Sequence, residues 1–320
     1  MKLVTFEMRD GLQSIGCIQN EQFIVDLHAA SKGLLPKKMM DFLSDFDQNC
    51  RVIEGMDTFP TSSVHPLSEV KLLAPLVNPS SFRDFYAFEA HVKTARNKRG
   101  LPMIPEWYDE PVFYFSNHHA IFGPDEDIEF PSHATWWDYE LELACVIGKE
   151  GRNIQADEAD DYIAGFTILN DWSARDLQRK EMKVGLGPAK GKDFATSIGP
   201  YLVTKDELEP FKEGDRYHLE MRAYVNGKKL SEGNAKDMYF SFGQLIEHAS
   251  NNATLKPGDL IGSGTVGTGC ILELGTDIHP WLSDGDVIEL SITGLGTLRN
   301  TVRKGGKTNA ILSSNGERAT

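Results

Sequence analysis

The chain has 320 residues, with 33 Lys and Arg against 47 Asp and Glu, for a formal net charge of −14; that balance argues against a nucleic-acid or anionic-membrane binder, both of which rely on clustered cations. Hydrophobic residues at 40% and charged residues at 25% are ordinary for a soluble globular protein of one large or two smaller domains, and no apolar run reaches the roughly 20 residues of a spanning helix. Charges interrupt the first ten residues, MKLVTFEMRD, where a signal peptide needs its apolar run, so a cytoplasmic location is expected. Cys17, Cys50, Cys145 and Cys270 form no C-x-x-C pair and read as ordinary buried thiols.

Residues 1–70 read as a small unit of their own. The apolar runs 3–6, 15–18 and 23–27 are parted by Asp10-Gly11 and Asn20-Glu21, the pattern of a strand meander. Met39, Phe42, Leu43 and Phe46 recur at helical spacing within 37–46, and 59–66 (FPTSSVHP) is the expected linker. Residues 71–303 carry mainly strand signals: alternation in 138–147 (DYELELACVI), an apolar run over 164–169, and a run over 217–225 that ends in the hairpin signal Asn226-Gly227. Turns stand directly before strands at Pro257-Gly258-Asp259 and Asp284-Gly285-Asp286. Helices are expected over 85–98, 156–162, 173–183 and 242–249, a strand over 271–274, and a mobile polar tail over 304–320.

Several segments carry candidate chemistry. On the strand 138–147, Glu140 and Glu142 share one face while Leu141 and Leu143 take the other. Trp136, Trp137 and Tyr139 before them and an apolar run after them predict that both carboxylates are removed from water. There they repel unless one is protonated or a cation lies between them. Asp171 ends a second apolar strand leading into 170–178 (NDWSARDLQ), where Ser173 stands as helix cap and Arg175 and Gln178 share a helix face. In 82–91 (FRDFYAFEAH), Asp84 and Tyr86 flank a strand-to-helix change and His91 follows two turns on; His118, His119 and His133 are equally available by composition. The run 262–270 (GSGTVGTGC) lacks the phosphate-loop pattern and reads as a tight loop bringing backbone N–H groups and the Thr265 hydroxyl to a ligand. Lys192 is either a solvated loop charge or a cation for substrate. Taken singly, each feature has a plain structural alternative.

Together, Asp84-x-Tyr86 with His91, Glu140-x-Glu142, the run from Asn170 to Gln178, Leu186-Gly187-Pro188, Gly191-Lys192, Gly262-Ser263-Gly264-Thr265 and Leu272-Glu273-Leu274 resemble the fumarylacetoacetate hydrolase family, in order, across roughly residues 70–300. The resemblance implies a β-dominated α+β fold, a mixed β-roll around a deep metal site, with residues 1–70 as a small β-rich accessory domain and a homodimer as the assembly. It implies Asp84, Glu140, Glu142 and Asp171 as ligands of a divalent cation, Mg²⁺ first and Ca²⁺ or Mn²⁺ next. His91 becomes the general base, oriented by Glu273, and Arg175, Gln178 and Lys192 stabilise developing negative charge. Tyr86, Arg99, Tyr114 and Thr265 become substrate contacts. Three positions depart from the fumarylacetoacetase pattern: Met182 stands where a substrate tyrosine is expected, one extra residue before Lys192 leaves Lys190 as its alternative, and Arg99 falls one position early.

The implied activity is metal-dependent hydrolysis of the C–C bond of a fumarylacetoacetate-like diketo acid, as in tyrosine and phenylalanine catabolism. An acylpyruvate hydrolase, oxaloacetate decarboxylase or dienoate isomerase of the same family is the alternative, and a non-catalytic dicarboxylate binder is the reading from a different class. The expected partner is a small diketo acid rather than nucleic acid or membrane.

Overall fold

The computed structural model describes residues 1–306. Among them, twelve strands form one mixed sheet, whose main path runs Val64–Pro66, Phe23–Asp26, Gln13–Gln19, Lys2–Glu7, Thr196–Thr204, Ile163–Asp171, Leu141–Ile147, Asp259–Gly262, Ser81–Phe85 and Phe113–Phe115. Five more strands, Lys228–Asn234, Glu220–Val225, Val287–Ile292, Gly296–Lys304 and Asp127–Phe130, form a second sheet. The fold is strand-rich α+β.

Every residue of Leu141–Ile147 and Ile163–Asp171 is buried, because both faces of these central strands are covered. Odd-numbered Leu141, Leu143, Cys145 and Ile147 join Phe166 and Ile168 in one core, together with Met221, Leu290 and Leu298 of the second sheet. Even-numbered Ala144 and Val146 join Leu169, Ile198 and Leu202 in another core, closed by Leu3, Ile15, Phe42 and Leu43. Residues of the N-terminal segment thus extend the large sheet, through the pairs Lys2 with Val203 and Leu3 with Leu202. They also cover the face that carries the even-numbered side chains, and Glu140 and Glu142 belong to that set.

The meander is present as Lys2–Glu7, Gln13–Gln19 and Phe23–Asp26. The hairpin turn is present too, with Asn226 at φ 51° and Gly227 at φ 77°, the left-handed pair a two-residue connection demands. Elsewhere tertiary contacts redraw the expected elements. The helix of 37–46 is broken into Met39–Leu43 and Phe46–Glu54, where Ser44 Oγ bonds back to the Asp41 carbonyl and Asp45 leaves the helical region. The helix of 85–98 begins only at Glu89, because Ser81–Phe85 is held as a strand between Asp259–Gly262 and Phe113–Phe115. The helix of 156–162 shrinks to a 3₁₀ turn, Ala159–Tyr162. That of 173–183 is Arg175–Met182, and Ser173 does not cap it: Ser173 pairs in a short strand with Asp138 and donates its hydroxyl to the Asp171 carbonyl. Residues Ile271–Leu274 form a helical turn rather than a strand. Lys304 still ends a strand, and positions 307–320 of the expected tail lie outside the described residues. No helix among the described residues is long and apolar enough to cross a membrane, and all four cysteines are unpaired.

Phe166 is fully buried, edge-on to Tyr217 at 5.0 Å and to Phe242 at 5.3 Å between centroids. Phe166→Ala is expected to lower unfolding free energy by about 3–5 kcal/mol. Chemical denaturation followed by circular dichroism reads this as a lower midpoint at unchanged slope; a loss below about 1 kcal/mol would contradict the packing.

Candidate active site

Neighbouring strands bring their acids to one end of the large sheet. Asp171 is the last residue of its strand, and its N–H meets the Glu140 carbonyl at 3.3 Å, which sets the two residues opposite each other. Gly262, last in its own strand, pairs with Ala144 on one side and Asp84 on the other. Strand alternation then sends Asp84, Glu140, Glu142 and Asp171 to a single face. Glycine at 262 leaves them room: a Cβ there would lie 2.4 Å from Asp84 Oδ1 and 3.3 Å from Glu142 Oε2.

Asp84, Glu142 and Asp171 are buried and present oxygens all within 4.8 Å of one another. Asp84 Oδ1 and Asp171 Oδ1 have no hydrogen-bond partner among the described residues. Burial, and next the Asp171 charge, push the Asp84 carboxyl well above the usual carboxylate range; burial and then Asp84 do the same to Glu142. Burial also raises Asp171, against the opposing pull of Lys192. Two vacant acceptors and an all-oxygen donor set fit a hard divalent cation. Glu140 stands apart. Burial acts to raise it, but Arg175 and Lys192 outweigh burial and hold it well below the carboxylate range. Arg175 Nη2 donates to Glu140 Oε1 at 2.7 Å, and Lys192 Nζ donates both to Glu140 Oε2 and to Asp171 Oδ2.

His91 lies in the first turn of Glu89–Asn97 and hydrogen-bonds through Nδ1 to Glu273 Oε1. With Nδ1–H donating to that carboxylate, Nε2 keeps its lone pair. The other Glu273 oxygen accepts from Thr268 N at 3.0 Å, and the Tyr86 ring stands edge-on to His91 at 5.2 Å. A protonated His91 ring would be close enough to Glu140 to help lower its pKa.

The glycine-rich loop serves the protein's own acids. Gly264 N donates to Glu142 Oε2 at 3.1 Å, the Thr265 hydroxyl donates to Glu142 Oε1 at 3.3 Å, and Thr268 N goes to Glu273. Tyr114, expected as a substrate contact, donates its hydroxyl to Asp171 Oδ2 at 2.7 Å. Gln178 accepts from Arg175 Nη1 at 3.1 Å. Of the two lysines only Lys192 reaches the acids; Lys190 is exposed and pairs with Asp193 at 2.8 Å. Arg99 is exposed with Nε on the Ala95 carbonyl, and Met182 is 46% exposed at the end of its helix. The His118 and His119 rings lie tilted against each other at 4.1 Å and His133 is exposed; none of the three bonds to these acids among the described residues.

Asp138 escapes the sequence reading. It is completely buried, and its Oδ2 accepts from Arg175 Nε at 2.8 Å and Leu272 N at 3.0 Å, its Oδ1 from Ile271 N at 2.8 Å and Tyr139 N at 3.0 Å. It therefore ties Arg175 to the turn that carries Glu273, and it supplies the acceptors that make this turn helical. The signal lay in three acids at period two, Asp138, Glu140 and Glu142.

Residues 80–303 match the family described as fumarylacetoacetate (FAA) hydrolase C-terminal. The chain is 32% identical to oxaloacetate tautomerase YisK of Bacillus subtilis, covering 94% of this chain and 100% of that one. It is 33% identical to a mitochondrial oxaloacetate tautomerase of Xenopus laevis, covering 94% and 90%. A maleylpyruvate hydrolase from Sphingobium, solved with manganese(II) and pyruvate, shares the fold with a TM-score of 0.72 at 23% identity, covering 96% of this chain and 100% of that one.

Two outcomes follow from this geometry. Because the folded-state pKa values of Asp84 and Glu142 are raised, their ionisation opposes folding progressively as pH climbs above the ordinary carboxylate range, and a bound cation relieves it. The gain in Tm on adding Mg²⁺ or Mn²⁺ should thus grow from about pH 5 to about pH 8, with proton release seen by calorimetry in two buffers of different ionisation heat; a gain that shrinks over this range would speak against the cage. Separately, Asp138→Asn leaves Arg175 with a buried, weakened partner and should lower stability by about 3 kcal/mol or more, read by denaturant unfolding.

Proposed function

The chain belongs to the fumarylacetoacetate hydrolase family, and on that premise we propose that it is a divalent-metal-dependent enzyme that interconverts the keto and enol forms of an oxaloacetate-type 2-oxo dicarboxylate. One observation carries this reading: the His91–Glu273 pair stands beside a carboxylate cage, so a proton acceptor adjoins a seat for a cation. Removal of a proton next to a carbonyl needs both. The names of the two relatives matched along nearly their whole length support the tautomerase reading over fumarylacetoacetate hydrolysis.

Asp84, Glu142 and Asp171 would hold the ion, which supplies polarisation of the substrate carbonyl and charge neutralisation when bound. His91 takes the proton from the carbon beside the carbonyl at Nε2, while Glu273 holds Nδ1–H and supports the resulting imidazolium. The proton then passes to the carbonyl oxygen to complete the enol, and the reverse path restores the ketone. Lys192 and Arg175 keep Glu140 ionised, and Lys192 also holds Asp171 in place. Gln178 has its carbonyl on Arg175, which leaves its amide N–H groups for a substrate oxygen.

C–C hydrolysis of a diketo acid is the second reading. It is favoured by Glu273, whose two oxygens are both bonded, one to His91, an arrangement equally suited to orient a base for water. Met182 weighs against fumarylacetoacetate itself, since a thioether cannot match a tyrosine's hydrogen bond to a substrate carboxylate.

Assays of oxaloacetate enol decay, followed by ultraviolet absorbance, are to be run with fumarylacetoacetate and an acylpyruvate beside them, with Mg²⁺ and Mn²⁺ in parallel. The expected result is acceleration of tautomerisation over buffer, and a loss of about 10²–10⁴-fold in His91→Gln with the metal-induced gain in Tm retained. Hydrolysis of a diketo acid without tautomerisation would select the second reading. No turnover of any of these by metal-loaded protein would sink the enzyme reading and leave the dicarboxylate binder.

A further inference from the structure

Beside the oxygen cage lies a second cluster with different chemistry. His91, Cys270 and Glu273 are all buried and offer a ring nitrogen, a sulfur and a carboxylate oxygen within 4.8 Å of one another. Cys270 Sγ is 3.8 Å from Glu273 Oε1, the same oxygen that His91 Nδ1 contacts. Cys270 and Glu273 come from one turn of chain, Cys270 standing just before the helical residues Ile271–Leu274, and His91 comes from the facing helix Glu89–Asn97.

Donor type separates the two clusters. Carboxylates alone suit Mg²⁺, Ca²⁺ and Mn²⁺, whereas sulfur and imidazole favour zinc-class ions. In a tetrahedral zinc site, bonds of about 2.0–2.3 Å set neighbouring ligand atoms roughly 3.3–3.6 Å apart. The sulfur–oxygen spacing is already close to that, and the His91–Glu273 contact has only to open around the ion. We propose that His91, Cys270 and Glu273 form an inhibitory site for a thiophilic divalent cation such as Zn²⁺, distinct from the carboxylate cage. On binding, the thiol proton leaves to solvent and the ring proton moves from Nδ1 to Nε2, so the ion takes a neutral imidazole nitrogen, a thiolate and a carboxylate oxygen, and its fourth position stays with water. The ring nitrogen and its orienting carboxylate are then both engaged, so the base is captured; this inhibitory consequence rests on the role of His91 given above, and the binding site itself does not.

The test is a titration of Mg²⁺-saturated full-length protein with Co²⁺, read by optical absorbance. The expected result is a near-ultraviolet thiolate-to-cobalt band with tetrahedral visible bands, reversed by Zn²⁺, retained in Cys50→Ser and lost in both Cys270→Ser and Cys270→Ala. Absence of the band in the wild type, or its persistence in the Cys270 variants, overturns the site. Melting curves in Mg²⁺ establish that the variants fold. Should neither Cys270 variant fold, zinc X-ray absorption on the wild type decides: one sulfur at about 2.3 Å supports the site, and a shell of nitrogen and oxygen alone overturns it. In the activity arm, Zn²⁺ suppresses wild-type turnover at saturating Mg²⁺ and Cys270→Ser loses most of that sensitivity. A cobalt–thiolate band without oxaloacetate turnover would keep the site and remove only the proposed reaction; turnover without a band would do the reverse.

Discussion

Charge crowding at one end of the large sheet is the constraint from which the rest of the site follows. Asp84, Glu142 and Asp171 are buried with their oxygens within 4.8 Å of one another, and Glu140 is next to them. Two ionised carboxylates about 4 Å apart repel by roughly 4 kcal/mol even at an effective dielectric near 20. Such a group persists only if protons, basic side chains or a metal ion offset the repulsion. The chain supplies part of the answer itself, with Lys192 bridging Glu140 and Asp171 and Arg175 bridging Glu140 and Asp138. Asp84 Oδ1 and Asp171 Oδ1 keep no hydrogen-bond partner among the described residues, which fits a candidate cation site.

Around that centre, backbone and side-chain donors work to hold acids in fixed orientations. The loop after Gly262 gives its N–H groups and the Thr265 hydroxyl to Glu142 and Glu273, so a segment that resembles an anion cradle holds anions belonging to the protein. Asp138 performs the complementary task from the opposite side, joining a buried guanidinium to the turn that carries Glu273. One buried carboxylate thus bonds both the guanidinium that holds Glu140 and the turn that carries Glu273.

A candidate cation site next to a histidine–glutamate pair suits any reaction that passes through an enolate. Tautomerisation, decarboxylation and hydrolysis of a 2-oxo acid differ in which bond to the neighbouring carbon is broken, and the cage and base serve all of them. Discrimination then falls to groups farther out. Here the position of the expected substrate tyrosine is an exposed Met182, and Arg99 is exposed in the turn after Glu89–Asn97. The chain's divergence from a fumarylacetoacetase pattern is thus concentrated at the positions expected to recognise a long acyl group, while Asp84, Glu140, Glu142, Asp171 and the His91–Glu273 pair stand together.

Much of this was legible in the linear text. Alternation in 138–147 predicted that Glu140 and Glu142 leave the core face together, the apolar strand before Asp171 predicted an acid at a strand end, and Asn226-Gly227 predicted its hairpin. These succeed because residue type, period two and turn stereochemistry are local properties. Helix limits failed where distant strands claimed residues, as at Ser81–Phe85, and Ile271–Leu274 became helical because its N–H groups meet Asp138, some 133 residues earlier. By itself the sequence determined which acids, base and cations exist and that several acids share a strand face. Only the tertiary structure decided that Glu140 answers to Arg175 and Lys192 while Asp84, Glu142 and Asp171 gather as a candidate cation site, that Asp138 joins Arg175 to the turn carrying Glu273, and that Cys270 stands beside the His91–Glu273 pair, because partners as far apart as 182 residues meet only when the sheet is assembled.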